Sequence, residues 1–167
     1  MRSFSFPIIF FFSLVVNQGL MYAVSDTSTA YIPDIWLICL VLYLSFEDWL
    51  SDVILLLFGS ICMGFYLGLP IYKCVLLLII PYLGLYLANR FLALKQGVVR
   101  AHLDVFIFSV LFYIAISSGL FDKSLLITQI SLPVLCIKLF LSLLCVRLIQ
   151  LTIEKLDHLL SLLEKKY

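Results

Sequence analysis

Lys138 is the residue whose chemistry is hardest to ignore. It is the only basic residue deep inside a predicted apolar span, the stretch Ser124–Val146. An ammonium group placed there costs several kcal/mol unless it is paired or reaches water. Three roles follow. It pairs with a carboxylate such as Asp34, Asp104 or Asp122, it snorkels to the membrane surface, or it lines a pocket for transport or a ligand. A second constellation is Asp48 with Asp104, each at the boundary of an apolar run. Two such carboxylates sharing a proton would activate water for peptide hydrolysis. The plainer reading is that both simply flank helices.

Other reactive groups are scarce. The histidines are His102 and His158, and His102 stands two residues from Asp104. That spacing turns the two side chains to different helix faces, which opposes chelation. No H-E-x-x-H, P-loop or G-x-S-x-G run occurs, so no metal, cofactor or catalytic residue is expected. Cys39, Cys62, Cys74, Cys136 and Cys145 form no C-x-x-C pair and mostly sit in apolar runs. They read as small buried hydrophobes. Asn17 and Gln18 are adjacent amides in an apolar segment, and amides in hydrocarbon seek hydrogen bonds between helices. Gly64 and Gly68 form a G-x-x-x-G match, which permits close helix contact.

The elements that must position these groups are set by charge placement. The 167 residues carry 11 Lys and Arg against 10 Asp and Glu. The chain is 64% hydrophobic with a mean hydropathy of +1.18, beyond what a water-soluble domain of this length sustains. A bilayer crossing takes about 20 apolar residues. The pattern predicts an all-α, polytopic bundle of about six transmembrane helices in residues 1–146, followed by an amphipathic cytoplasmic tail in residues 147–167. The expected spans are Phe4–Val24, Tyr31–Phe46, Val53–Leu69, Cys74–Asn89, Leu103–Leu120 and Ser124–Val146. The first is read as a retained helix, not a signal peptide. The second reaches spanning length only if Tyr31–Asp34 are included, with Asp34 at the membrane boundary, where an acidic residue complements the helix dipole. The run from Glu47 to Asp52 is expected to form an acidic turn, and Arg90, Lys95 and Arg100 a basic loop. Pro81 is expected to kink the fourth helix.

Lys and Arg placement orients the bundle. With an inside N-terminus, Arg2, Arg90, Lys95, Arg100, Arg147, Lys155, Lys165 and Lys166 face the cytoplasm and Lys73 and Lys123 face out. The expectation is therefore a multi-pass protein with both termini cytoplasmic. A net charge of +1 argues against a nucleic-acid partner. In the tail, Ile149, Ile153, Leu156, Leu160 and Leu163 recur at four- and three-residue spacing, an apolar seam on a helix. It suits either a helix lying on lipid or one docking on a partner.

The whole layout resembles the MreD family of bacterial rod-shape-determining membrane proteins. The resemblance is carried by Asn17-Gln18 near the end of the first helix and by Pro33-Asp34-Ile35-Trp36-Leu37 opening the next apolar run. It continues through Tyr43-Leu44-Ser45-Phe46, the glycine helix Gly59–Gly68, Tyr82-Leu83 leading to Arg90, and Val146-Arg147. One departure is the turn at Gly68-Leu69-Pro70, where the family has Gly-Leu-x-x-Asp. The resemblance implies a non-catalytic component of the cell-elongation machinery in the bacterial inner membrane. Its implied partners are membrane lipid, a single-span MreC-like protein and the peptidoglycan-synthesis proteins. In architecture the family is similar to the substrate-binding subunits of energy-coupling-factor transporters, so a small-molecule ligand remains a second expectation. The Asp48 and Asp104 pair is similar to that of prepilin-peptidase-type aspartyl proteases, but Ala101-His102-Leu103-Asp104 lacks that family's glycines. On these grounds Asn17, Gln18 and Asp34 are expected in internal or partner packing, and Lys138 in a polar contact within the bundle.

Overall fold

The computed structural model describes residues 2–23, 32–44, 48–67, 69–92, 97–117 and 132–164, with side chains at 6–20, 32–44, 48–65, 69–91, 97–117, 133–156 and 158. Those residues fold into helices α1 (Arg2–Ala23), α2 (Ile35–Tyr43), α3 (Trp49–Leu67), α4 (Ile71–Leu92), α5 (Val98–Ser117) and α6 (Leu132–Glu164). The all-helical expectation holds for the described residues. The expectation of six spans is met in part among the described residues. Three helical stretches are long and apolar enough to cross a membrane, Ile71–Phe91, Val98–Ser117 and Pro133–Leu156. Phe6–Leu20 and Trp49–Phe65 are the apolar parts, with described side chains, of α1 and α3, which run for 22 and 19 residues.

The largest correction is α2. It has 9 residues, from Ile35 to Tyr43, where a spanning helix from Tyr31 to Phe46 was expected. At a rise of about 1.5 Å per residue it covers roughly 14 Å, half of a hydrocarbon core about 30 Å thick. Its first turn begins only after Pro33 and Asp34, and Leu44 is already extended. The apolar run is continuous because α2 is buried all round. Trp36, Leu37, Ile38, Cys39, Leu40, Val41 and Tyr43 are all buried, and the helix packs against α1, α3, α5 and α6. A helix apolar on every side is an interior helix.

Around this centre the long helices pack in chain order, α3 on α4, α4 on α5 and α5 on α6. Phe6 and Phe10 of α1 reach inward to stack on one another and to meet Tyr43, Phe58 and Trp36 edge-on. The outward faces are apolar instead of charged: Phe12 is 66% exposed, Phe65 83% and Leu148 67%. Water would not tolerate that surface, whereas lipid would.

Two boundaries differ in ways that matter for chemistry. Trp49–Asp52 is the first turn of α3, not an acidic turn. Arg90 lies in the last turn of α4 and Arg100 in the first turn of α5, not in a loop. α6 runs for 33 residues as one helix, continuous through Val146–Arg147.

Candidate functional site

The polar centre of the molecule lies where the start of α2 meets α1, α5 and α6. Lys138, in the second turn of α6, places Nζ 3.0 Å from Asp34 Oδ1. The Tyr113 hydroxyl, near the end of α5, donates to Asp34 Oδ2. The ammonium also lies 5.5 Å from the centre of the Tyr113 ring, within cation–π range. The three groups thus satisfy one another. Side-chain exposure is 10% for Lys138 and 15% for Asp34, so the pair is largely withdrawn from the surroundings. Of the three carboxylates open to Lys138 in the sequence, the structure selects Asp34. Asp104 bonds elsewhere, and Asp122 lies outside the described residues.

Asp34 occupies the N-cap position of α2, yet its side chain makes no cap hydrogen bond. Its carboxylate is committed to Lys138 and Tyr113. The capping role passes in part to Asn17 of α1, whose Oδ1 accepts from the Ile35 backbone N–H at 3.3 Å. The same N–H also approaches the Pro33 carbonyl at 3.0 Å. The Asp34 backbone carbonyl accepts from Leu37 and Ile38 at 3.0 and 3.1 Å, starting the helix. A short, apolar helix with few good end groups is thereby fixed at its beginning by side chains of its neighbours. Trp36 and Phe112, 5.6 Å apart edge-on, wall the cluster on its inner side, and Phe112 meets Tyr113 at 5.7 Å.

Two further polar sites lie toward the other end of the bundle. Asp52, fully buried in the first turn of α3, accepts a 3.1 Å hydrogen bond from the Tyr82 hydroxyl of α4. Asp104 of α5 pairs with Arg100 one turn earlier, at 3.6 Å. Its Oδ1, like Nδ2 of Asn89 on α4, is buried without a hydrogen-bond partner.

The remaining sequence candidates fall apart from the cluster. Asn17 is buried, but its neighbour Gln18 faces outward into a groove between α1 and α3. Gly64 is not at a helix–helix crossing. A Cβ there would stand 3.2 Å from the Leu69 carbonyl oxygen, so the residue makes room for the tight α3–α4 turn. Gly68 lies outside the described residues. Ile149 and Ile153 pack on the bundle's own core, while Leu156 is exposed. The side chains of Leu160 and Leu163 lie outside the described residues. Asp48 is exposed, and its Oδ1 accepts from the Leu50 N–H at 3.2 Å, an ordinary helix-start contact. Among the described residues no group of three or more His, Cys, Asp or Glu is placed to hold a metal ion.

Sequence reasoning missed Tyr113, Asp52 and Tyr82. A tyrosine buried in an apolar run needs a partner for its hydroxyl. Asp52 is in helical phase with Leu55, Leu56, Gly59 and Met63, the inward face of α3. Both signals were present in the chain. Comparison with family models, with curated proteins and with solved structures finds no match. The functional reading therefore rests on geometry and on the sequence pattern.

Proposed function

We propose that this chain is a non-catalytic membrane subunit that works through helix contacts with other membrane proteins. The single observation that supports this reading is the use made of the buried charges. Lys138 and Asp34 neutralise each other at 3.0 Å and, with Tyr113, pin α2 to α5 and α6. A charge kept for catalysis or transport would face a water-filled cavity or a substrate path. Here the cluster does the work of a clamp. The sequence pattern resembling MreD makes the proposal more specific. The chain would belong to the cell-elongation machinery of a bacterial inner membrane. Its partners would be a single-span MreC-like protein and the peptidoglycan-synthesis proteins.

The test is affinity purification of the full chain from detergent-solubilised membranes of its own host, paired with depletion. The proposal expects a single-span partner to co-purify and depleted cells to round up. Co-purification with an energising ATPase and a bound small molecule would replace it with the transporter-subunit reading. Accumulation of an uncleaved membrane substrate in Asp48→Asn or Asp104→Asn cells would replace it with a protease.

A further inference from the structure

The groove between α1 and α3 is separate from the polar clamp and has a different character. It encloses about 620 Å³, within the range of about 300–1,000 Å³ typical of ligand sites. Phe11, Leu14 and Val15 of α1 and Phe65 of α3 form its apolar length, and Gln18 supplies its polar group. The side-chain amide of Gln18 makes no hydrogen bond among the described residues. Polarity therefore changes along the groove in one direction. Phe11 lies near the middle of α1, and Gln18 lies five residues before its end at Ala23. The neighbouring Asn17 bonds to the start of α2, so Gln18 stands at the depth of the polar cluster.

That gradient matches a molecule with an apolar tail and a hydrogen-bond acceptor at its head. We propose that the groove holds one membrane lipid, its acyl chain along Phe11, Val15 and Phe65 and its glycerol ester at the Gln18 amide. A partner helix fits less well. Close helix packing in a membrane needs small residues at the contact. The groove has two small residues, Gly19 and Cys62, but they are flanked by the projecting rings of Phe11, 62% exposed, and Phe65, 83% exposed. Such projecting rings obstruct a rigid cylinder but enclose a flexible chain. The ester oxygen supplies what an acyl chain alone lacks, an acceptor for the amide N–H. The inference rests on α1 and α3 lying in a bilayer and is independent of any role in cell elongation.

Gly19 offers the decisive variant. A Cβ at Gly19 would meet nothing within 4 Å, so a large side chain enters the groove without displacing the core. Gly97 is equally open and lies at the start of α5, away from the groove, which makes it the control. The full chain is purified in mild detergent and its mass read by native mass spectrometry, with extracted lipid identified separately. The wild-type chain and Gly97→Phe are expected to retain a species heavier by one glycerolipid. Gly19→Phe is expected to lose it. Gln18→Leu, close in size and apolar, is expected to release the lipid at lower collision energy. Should Gly19→Phe fail to fold, the Gln18→Leu comparison still decides. The proposal is overturned by a wild-type chain without retained lipid, or by variants that hold lipid as the wild type does. It is also overturned if a photo-crosslinker at Val15 captures a protein helix in place of lipid.

Discussion

Lys138 of α6 reaches Asp34 across 3.0 Å, and so ties the last helix of the bundle to the residue that opens its shortest. The pair is worth most to the fold when judged by what its loss leaves behind. Two buried charges of opposite sign contribute little net stability over a well-packed apolar pair, but removing one strands the other. Lys138→Met is therefore expected to destabilise the bundle by about 3–5 kcal/mol. The double change Lys138→Met with Asp34→Leu should recover much of that loss. Thermal unfolding in detergent, followed by helical circular dichroism, gives both values. Equal damage from the single and double variants would mean that the pair is not the clamp described.

Tyr113→Phe separates the hydroxyl from the ring. The ring beneath Lys138 remains, while the hydrogen bond to Asp34 is lost. Hydrogen bonds between membrane helices are worth about 0.6–2 kcal/mol. The expected loss is in that range, clearly below that of Lys138→Met. A loss as large as the lysine's would show that the phenol, and not the ammonium, holds Asp34 in place.

Adjacent amides should behave differently. Asn17 accepts from the Ile35 N–H, so Asn17→Ala is expected to cost about 0.5–2 kcal/mol, as for other helix caps. Gln18→Ala breaks no hydrogen bond to another element among the described residues and is expected to cost less than Asn17→Ala. The same thermal assay distinguishes them, and equal effects would remove Asn17 from its capping role.

These contrasts show how far the chain could be read directly. Lys138 and Asp34 were legible because each is a charge bordering or interrupting apolar sequence, and such charges must be accounted for. Their pairing was not, because three carboxylates were compatible with the spacing and only packing selects among them. The length of α2 was illegible for a related reason. Ile35–Phe46 is apolar whether it crosses lipid or lies inside protein, since both surroundings are dry. Asp52 failed by adjacency: next to Glu47 and Asp48 it reads as part of a solvated turn, although its phase with Leu55, Gly59 and Met63 points inward. At Gly64 spacing alone did not say that the nearest neighbour is the Leu69 carbonyl of the α3–α4 turn.

Gly59 and Gly64 test that last point. A Cβ at Gly59 would make ordinary contacts of 3.5–3.6 Å with Leu40, Leu78 and Phe10. Gly59→Ala should be neutral or stabilise by up to about 1 kcal/mol through helix propensity. At Gly64 the nearest atom is a backbone oxygen at 3.2 Å, which yields only if the α3–α4 turn moves. The Leu69 N–H to Gly64 carbonyl bond of 3.1 Å spans the same turn. Gly64→Ala is expected to lose about 1–3 kcal/mol, the usual cost of overpacking. Unfolding midpoints in the reverse order would place the close helix contact at Gly64 after all.

Asp48, Asp52 and Asp104 give the last comparison, because their surroundings differ while their chemistry does not. Asp48 is exposed and contacts the Leu50 N–H at 3.2 Å, so Asp48→Asn keeps an acceptor in place and should change stability little. Asp52 is fully buried and accepts from Tyr82 at 3.1 Å. Asp52→Leu removes that buried acceptor and the hydrogen bond it takes from Tyr82, a loss of about 1–3 kcal/mol. Tyr82→Phe alone should cost less than Asp52→Leu, since the carboxylate keeps its other contacts. Asp104→Asn removes the charge that faces Arg100 but keeps an acceptor for the guanidinium. Its cost should fall between those of Asp48→Asn and Asp52→Leu. The ranking Asp52, Asp104, Asp48 follows the burial of each carboxylate and the contacts its substitution removes, and a purified-protein melting series checks it. If Asp48→Asn proved the most damaging, the exposed carboxylate would have a role that its surroundings do not account for.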